Sequence, residues 1–165
     1  MFELKQLSKE AIPSALAKAE RYRLLNEPWQ AESICQDVLR IEPDNRTALV
    51  TLLLALTDQF QYRVTVQEAR DVVARMHEEY ERAYYSGIVC ERRSQALLQQ
   101  GSPGSGAVVY TWLRDAMGWY EKAEALRPPA NDDALLRWNT CARLLMRYPQ
   151  LQPAPEQSME PIMSE

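Results

Sequence analysis

Residues 31–45 read AESICQDVLRIEPDN, and residues 116–131 read AMGWYEKAEALRPPAN. The two stretches share one spacing: Ala31, Cys35, Val38 and Pro43 in the first match Ala116, Tyr120, Ala123 and Pro128 in the second. Positions separated by four and seven residues stack on one face of an α-helix. A small side chain there lets a neighbouring helix come close. The proline ends the helix, because its ring removes a donor and clashes with the preceding turn. Each stretch therefore predicts a helix with one tightly packed face and an enforced exit.

Working outward, helix signals continue on both sides. A first helix is expected from about Ser8 to Leu25, with Pro13 tolerated only in its opening turn. Asn26-Glu27 reads as a turn, and Pro28 opens a second helix that ends near Ile41. Asp44 or Asn45 caps a third helix running to about Phe60. Thr65 with Glu68 forms a capping box for the fourth. Between Glu78 and Arg82 no Gly or Pro separates the fourth from the fifth, so two helices or one long bent helix both fit. The fifth runs to about Gln100. GSPGSG, at 101–106, is the clearest break. A sixth helix follows from about Ala107 to Leu126, and a seventh, capped by Asn131 or Asp132, reaches about Arg147. After Pro149 the sequence PQLQPAPEQSMEPIMSE has no apolar period and predicts a flexible tail over 149–165. No segment alternates with a two-residue period, so no strand is expected.

Together these features resemble the tetratricopeptide repeat (TPR), a helix pair of about 34 residues. The first unit spans about 12–45, with Ala15, Ala19 and Tyr22 at the positions of its first helix. A degenerate second unit spans about 46–81, with Leu49, Leu52, Leu53 and Leu56 on its apolar face and Ala69 at the close contact. A third spans about 82–130, with Gly87 in its first helix, and residues 131–147 form a closing helix. The intervals from Ala31 to Ala69 and from Ala69 to Ala116 exceed the family period, which fits a long turn near 61–65 and an insertion near 99–106. The resemblance implies an all-α fold in which antiparallel helix pairs stack as a short superhelix of about seven helices, filling residues 1–148.

The bulk properties fit an ordinary helical domain. The chain has 165 residues, 46% hydrophobic and 25% charged, with only five glycines. Its formal net charge of -4 argues against general nucleic-acid binding, which needs a basic surface. The most apolar run, ALVTLLLAL at 48–56, is too short to cross a bilayer, so no membrane insertion is expected. The N-terminus lacks the pattern of a secretory signal. Cys35, Cys90 and Cys141 are odd in number and far apart, and suit a reducing cytoplasm.

Chemical motifs are nearly absent. His77 is the sole histidine; in His77-Glu78-Glu79-Tyr80-Glu81 the second histidine of a zinc hydrolase is replaced by Glu81. The reading is an exposed helical histidine with a carboxylate four residues on. The cysteines fall at inward helical positions and read as small buried hydrophobes. Residues 101–106 have a G-x-x-x-x-G outline, but Ala107 and Val108 stand where a phosphate loop needs Lys and Ser or Thr. No cofactor, metal or catalytic residue is expected.

The resemblance implies instead a protein-protein interaction module, an adaptor holding a partner helix or peptide in a concave groove lined by the first helix of each pair. That groove would be built from Leu16, Glu20 and Arg23, then Val50, Leu54 and Thr57, then Tyr84 and Ile88, and finally Leu135 and Asn139. Leu16 and Glu20 occupy places where one subclass of the family holds a terminal carboxylate with Lys and Asn, a departure that speaks against that specialisation. Trp112 and Trp119, seven apart, share a face of the sixth helix and are a second candidate contact. The alternative function is a structural subunit or assembly factor held permanently in a larger complex, with an exposed apolar patch around those two tryptophans.

Overall fold

The computed structural model describes residues 1–156. Within them are seven α-helices and one 3-10 turn, Lys9–Ala11, and no strand. The helices are α1 (Ile12–Leu24), α2 (Pro28–Ile41), α3 (Arg46–Thr57), α4 (Val66–Ala74), α5 (Glu79–Gln100), α6 (Gly106–Leu126) and α7 (Asp133–Arg147). Each helix packs on the next, and α1 also touches α3 and α3 touches α5. Short connections make successive helices antiparallel. The architecture is an all-α, solenoid-like stack of neighbouring helix pairs.

Local chemistry sets most boundaries. Pro28 sits in the first turn of α2, where its missing N–H costs nothing. The Asn45 side chain accepts from the Ala48 N–H at 2.9 Å and so caps α3. Thr65 and Glu68 form the reciprocal capping box of α4: Thr65 Oγ1 accepts from Glu68 N–H, and Glu68 accepts from Thr65 N–H at 2.7 Å. The long helix α5 ends at Gly101, whose φ of 62° lies in the left-handed region that a glycine enters without strain.

Two expected boundaries move, and one alternative left open is decided. The first helix begins at Ile12 rather than Ser8, because Lys9–Ala11 winds more tightly as a 3-10 turn ahead of Pro13. The third ends at Thr57, short of Phe60, where the chain turns toward α4. The fourth and fifth are separate helices. The break at 75–78 is held by Arg82, whose Nη1 donates to the carbonyls of Met76 at 2.8 Å and His77 at 2.6 Å. Met76 is buried and anchors the same segment.

Two apolar clusters form the core. The first gathers side chains from α1 to α4 with Val89 and Ala96 of α5; the second gathers α5, α6 and α7. The 22-residue α5 contributes to both and acts as their common spine. Ala31, Cys35, Val38, Ala116, Tyr120 and Ala123 are all 0% exposed, so both spaced motifs face inward. Gly87 of α5 lies under the Tyr120 ring: a Cβ there would stand 2.5 Å from Cε1. A glycine is required at this point for α5 and α6 to meet.

The chain beyond α7 departs from the expected flexible tail at its start. Leu151 is buried in the second cluster, and its N–H donates to Tyr148 O at 3.0 Å. The Gln150 carbonyl rests against Gly106, where a Cβ would come within 2.5 Å. An apolar side chain two residues past Pro149 is enough to dock this segment across the start of α6. The remainder of that expectation, 157–165, lies outside the described residues.

Candidate functional site

The first helices of successive pairs form one layer, α1 beside α3 beside α5. Packing of α2 on α4 and of α4 on α6 is slighter, with the Arg70 guanidinium of α4 lying over the Trp112 ring of α6. Polar side chains tie the first layer together. Asp58, just past α3, accepts from Arg23 of α1 at 2.7 Å and from Arg92 of α5 at 3.1 Å. Arg46 at the start of α3 pairs with the buried Glu81 of α5. One carboxylate thus links three helices, and two guanidinium groups share it.

The most deeply buried acidic group among the described residues is Glu91, 1% exposed in the middle of α5. Its Oε2 accepts from the Tyr120 hydroxyl of α6 at 2.7 Å and from Arg137 Nη1 of α7 at 3.3 Å. Its Oε1 is also buried and meets no donor among the described residues. Tyr84 lies beside Arg137 and packs its ring 5.9 Å from that of Tyr120. Burial pushes the Tyr120 phenol well above the usual tyrosine range, and the Glu91 carboxylate pushes it the same way. Tyr120 is therefore a neutral, fixed donor that aims Glu91.

Two clefts flank α5. One, of about 290 Å³, runs among Asn26, Asp58, Arg92 and Gln99, where α1, α3 and α5 converge. The other, of about 220 Å³, lies between α5 and α7, with Glu91, Gln95 and Gln99 on one side and Thr140 and Leu144 on the other. Leu113 of α6 contributes to its lining. Beside it, α7 packs on α6 and its Arg137 side chain reaches Glu91 of α5.

The expected groove residues divide. Arg23, Val50, Leu54, Tyr84, Leu135 and Asn139 are half-buried on α1, α3, α5 and α7. Val50 packs onto the first cluster, while Leu54 and Tyr84 pack onto the second. Arg23 is engaged with Asp58. Ile88 is a correction: at 1% exposure it belongs to the second core and has no surface to offer a partner. Thr57 is likewise buried, its hydroxyl donating to Leu54 O at 2.8 Å. Trp112 is half-buried on α6 with the Arg70 guanidinium of α4 over its ring, and Trp119 is 37% exposed with Lys122 over its ring. The second-helix layer, not the first, carries these two indoles.

His77 also departs from its expected setting. It lies in the break between α4 and α5 rather than on a helix, with Nε2 3.4 Å from Asp44 Oδ1, while Glu81 turns to Arg46. Among the described residues no group of three or more His, Cys, Asp or Glu side chains is disposed to hold a metal ion. Burial pushes the thiols of Cys35 and Cys141 up to about 12 and that of Cys90 up to about 11. All three are protonated and unreactive at neutral pH. No described helix is long and apolar enough to cross a membrane.

Glu91 and Arg137 were not singled out from the sequence. The available signal was Glu91 itself, an acid directly after the apolar run Ile88-Val89-Cys90, four residues from Gly87. Its partners lie 29 and 46 positions away, beyond any local pattern. No family model matches the chain, and neither a curated protein nor a solved structure matches it at a significant level.

Proposed function

We propose that this chain is a protein-interaction adaptor of TPR-like, degenerate repeats, and that it holds a helix or extended peptide of a partner along its first-helix layer. The observation that carries this reading is the pair of clefts flanking α5, both opening among first helices. Direct packing within that layer, against slighter packing in the other, favours a stack curved with the first helices inside. A layer held by cross-helix pairs from Asp58, Glu81 and Glu91 is a preorganised surface, which lowers the ordering cost of binding. The mixed lining, with carboxamides, guanidinium groups and leucines, suits a peptide that offers both backbone hydrogen bonds and apolar side chains.

The alternative is a permanent structural subunit. It is favoured by one observation, the exposed Leu24, Leu25 and Trp29 clustered at the α1–α2 turn, at 80%, 61% and 55% exposure. Affinity capture from the native cell separates the two. In the adaptor reading, a partner captured by the wild type is lost with the folded variant Gln99→Glu/Thr140→Glu and kept with Trp119→Glu. Capture that survives the first variant, and fails when Leu25 and Trp29 are replaced by Ser, moves the contact to the end of the stack and refutes the groove.

A further inference from the structure

The segment that leaves α7 is a strap held by one side chain. Residues 148–151 make a tight turn, closed by the Leu151 N–H donating to Tyr148 O at 3.0 Å. The turn carries the Leu151 side chain into the second core, where it is 4% exposed. Pro149, Gln150 and 152–156 around it are exposed. Among the described residues no backbone–backbone hydrogen bond joins 149–156 to α5, to α6 or to the loop between them. Burial of a single leucine favours the docked over the released strap by a factor of about 10–100. Release is then a local opening, far easier than unfolding of the helices.

The path of the strap is cut into α6. A Cβ on Gly106 would stand 2.5 Å from the Gln150 carbonyl oxygen. Gly106 is the first residue of α6 and its φ is not positive, so no turn asks for a glycine there; the close passage of another backbone does. Beside Leu151 a cavity of about 480 Å³ remains open, lined by Leu98, Ala107 and the 101–106 loop, with Gln152 at its edge. The strap fills the leucine position of this site and leaves the space next to it empty.

We propose that this pocket at the end of α5, α6 and α7 is a docking site for a proline-flanked, leucine-bearing segment of a partner protein, and that residues 149–153, PQLQP, are its built-in competitor. The partner's leucine takes the place of Leu151 and its backbone passes Gly106. The strap of a second copy would only repeat the contacts already made in cis and would lose the tether. A foreign segment with a larger side chain after its leucine gains the cavity that the strap leaves open. The site is separate from the first-helix groove, and neither reading depends on the other.

Hydrogen exchange of the wild-type chain reads the latch. The Leu151 amide is expected to be protected by about 10–100-fold, and those of Val109 and Leu113 in α6 by far more. Binding is read with full-length Leu151→Ser, its leucine and alanine methyls labelled for NMR, titrated with the capped peptide YPQLQPAP, the sequence of 148–155. A preference of about 10–100 in cis, at an effective concentration of order 10 mM, corresponds to a Kd of about 0.1–1 mM in trans. Saturable shifts are expected at Leu98 and Ala107. The wild type should bind about tenfold more weakly or less, since its own strap must leave first. The Gln152→Phe form of the peptide should bind about tenfold more tightly by entering the cavity. The Leu151→Ser form of the peptide should not bind, nor should the parent peptide bind the chain carrying Leu151→Ser with Gly106→Ala. Leu151 exchange as slow as that of Val109, a Leu151→Ser chain that fails to fold, no saturation by about 5 mM, equal affinity for the wild type, undiminished binding to the Gly106→Ala chain, or no gain from phenylalanine would each overturn the proposal. A wild-type dimer abolished by Leu151→Ser in sedimentation would give the pocket to a second copy and overturn it too.

Discussion

Replacing Gly87 by alanine probes the contact that joins α5 to α6. The new Cβ would lie 2.5, 2.7 and 3.0 Å from Tyr120 Cε1, Cδ1 and Cζ. Ordinary carbon–carbon contact needs about 3.5–4.0 Å, so the ring or one helix must retreat by about 1 Å. The ring has little freedom: Tyr120 is 0% exposed, Tyr84 stands 5.9 Å away, and the hydroxyl is held by Glu91 at 2.7 Å. Retreat of the ring stretches a buried, charge-assisted hydrogen bond, and retreat of the helix opens the second core. Overpacking of this kind costs about 1–3 kcal/mol, with a further loss of ~1 kcal/mol or more if the hydroxyl leaves Glu91. The helix preference for Ala over Gly returns only about 1 kcal/mol. The net expectation is destabilisation by roughly 1–3 kcal/mol, or about 2–4 °C in Tm for each kcal/mol. Urea denaturation followed by far-UV circular dichroism measures it. Gly118→Ala on the same helix pair is the matched control, since nothing lies within 4 Å of its Cβ and the site is exposed. It should gain about 0.5–1 kcal/mol. A Gly87→Ala protein as stable as the wild type, or stabilised in step with Gly118→Ala, would refute the close-approach argument.

Three other outcomes are expected. Asn45→Ala removes the cap on α3 and should cost about 1 kcal/mol in urea denaturation, with Asn45→Gly losing less. Tyr120→Phe deletes the donor to Glu91 Oε2 without changing the ring, and should cost about 1–3 kcal/mol; an unchanged denaturation midpoint would mean that the hydroxyl does not hold the carboxylate. The thiols of Cys35, Cys90 and Cys141, raised by burial from an ordinary 9 to about 12, 11 and 12, retain protons that the unfolded chain releases. Their contribution is complete below pH 9 and is lost as pH rises through the folded values, at up to about 1.4 kcal/mol per pH unit for each thiol. A Cys→Ala variant at Cys141 should therefore show a shallower fall in stability between pH 9 and 11, and equal slopes would count against burial as the cause.

What could be read beforehand follows the range of the interactions. Helix ends were legible where the deciding contact spans three or four residues, as with Asn45 to Ala48 or Thr65 to Glu68. The small-residue faces were legible because Ala31, Cys35 and Val38, like Ala116, Tyr120 and Ala123, repeat one spacing. The break between α4 and α5 was not, since no Gly or Pro marks it and Arg82 makes it by reaching back to two carbonyls. Ile88 was misplaced for a different reason: a 22-residue helix shared by two cores buries more of its circumference than a helix with one apolar face. The Glu91 cluster depends on α6 and α7 arriving at the same point on α5, which no single stretch of sequence encodes.

That convergence has a consequence for what the cluster is for. A buried carboxylate with one guanidinium and one phenol is a poor device for stability, since apolar side chains of similar volume commonly hold a fold as well or better. The second core already has Leu113, Met117, Ala123 and Cys141 around it, and it would pack around a leucine at position 91 as readily as around an acid. What a leucine cannot do is fix the angle of α7. Arg137 of α7 reaches Glu91 of α5 at 3.3 Å and ties the two helices together beside the cleft that they line. Shortening that tie by Arg137→Lys keeps the charge but gives up the planar donor fork. Leucines lining the cleft would then move more than the α1–α4 half, because the two cores are joined mainly through α5. The polar centre is thus a tie between α5, α6 and α7, made where apolar packing alone would leave the setting of α7 less fixed.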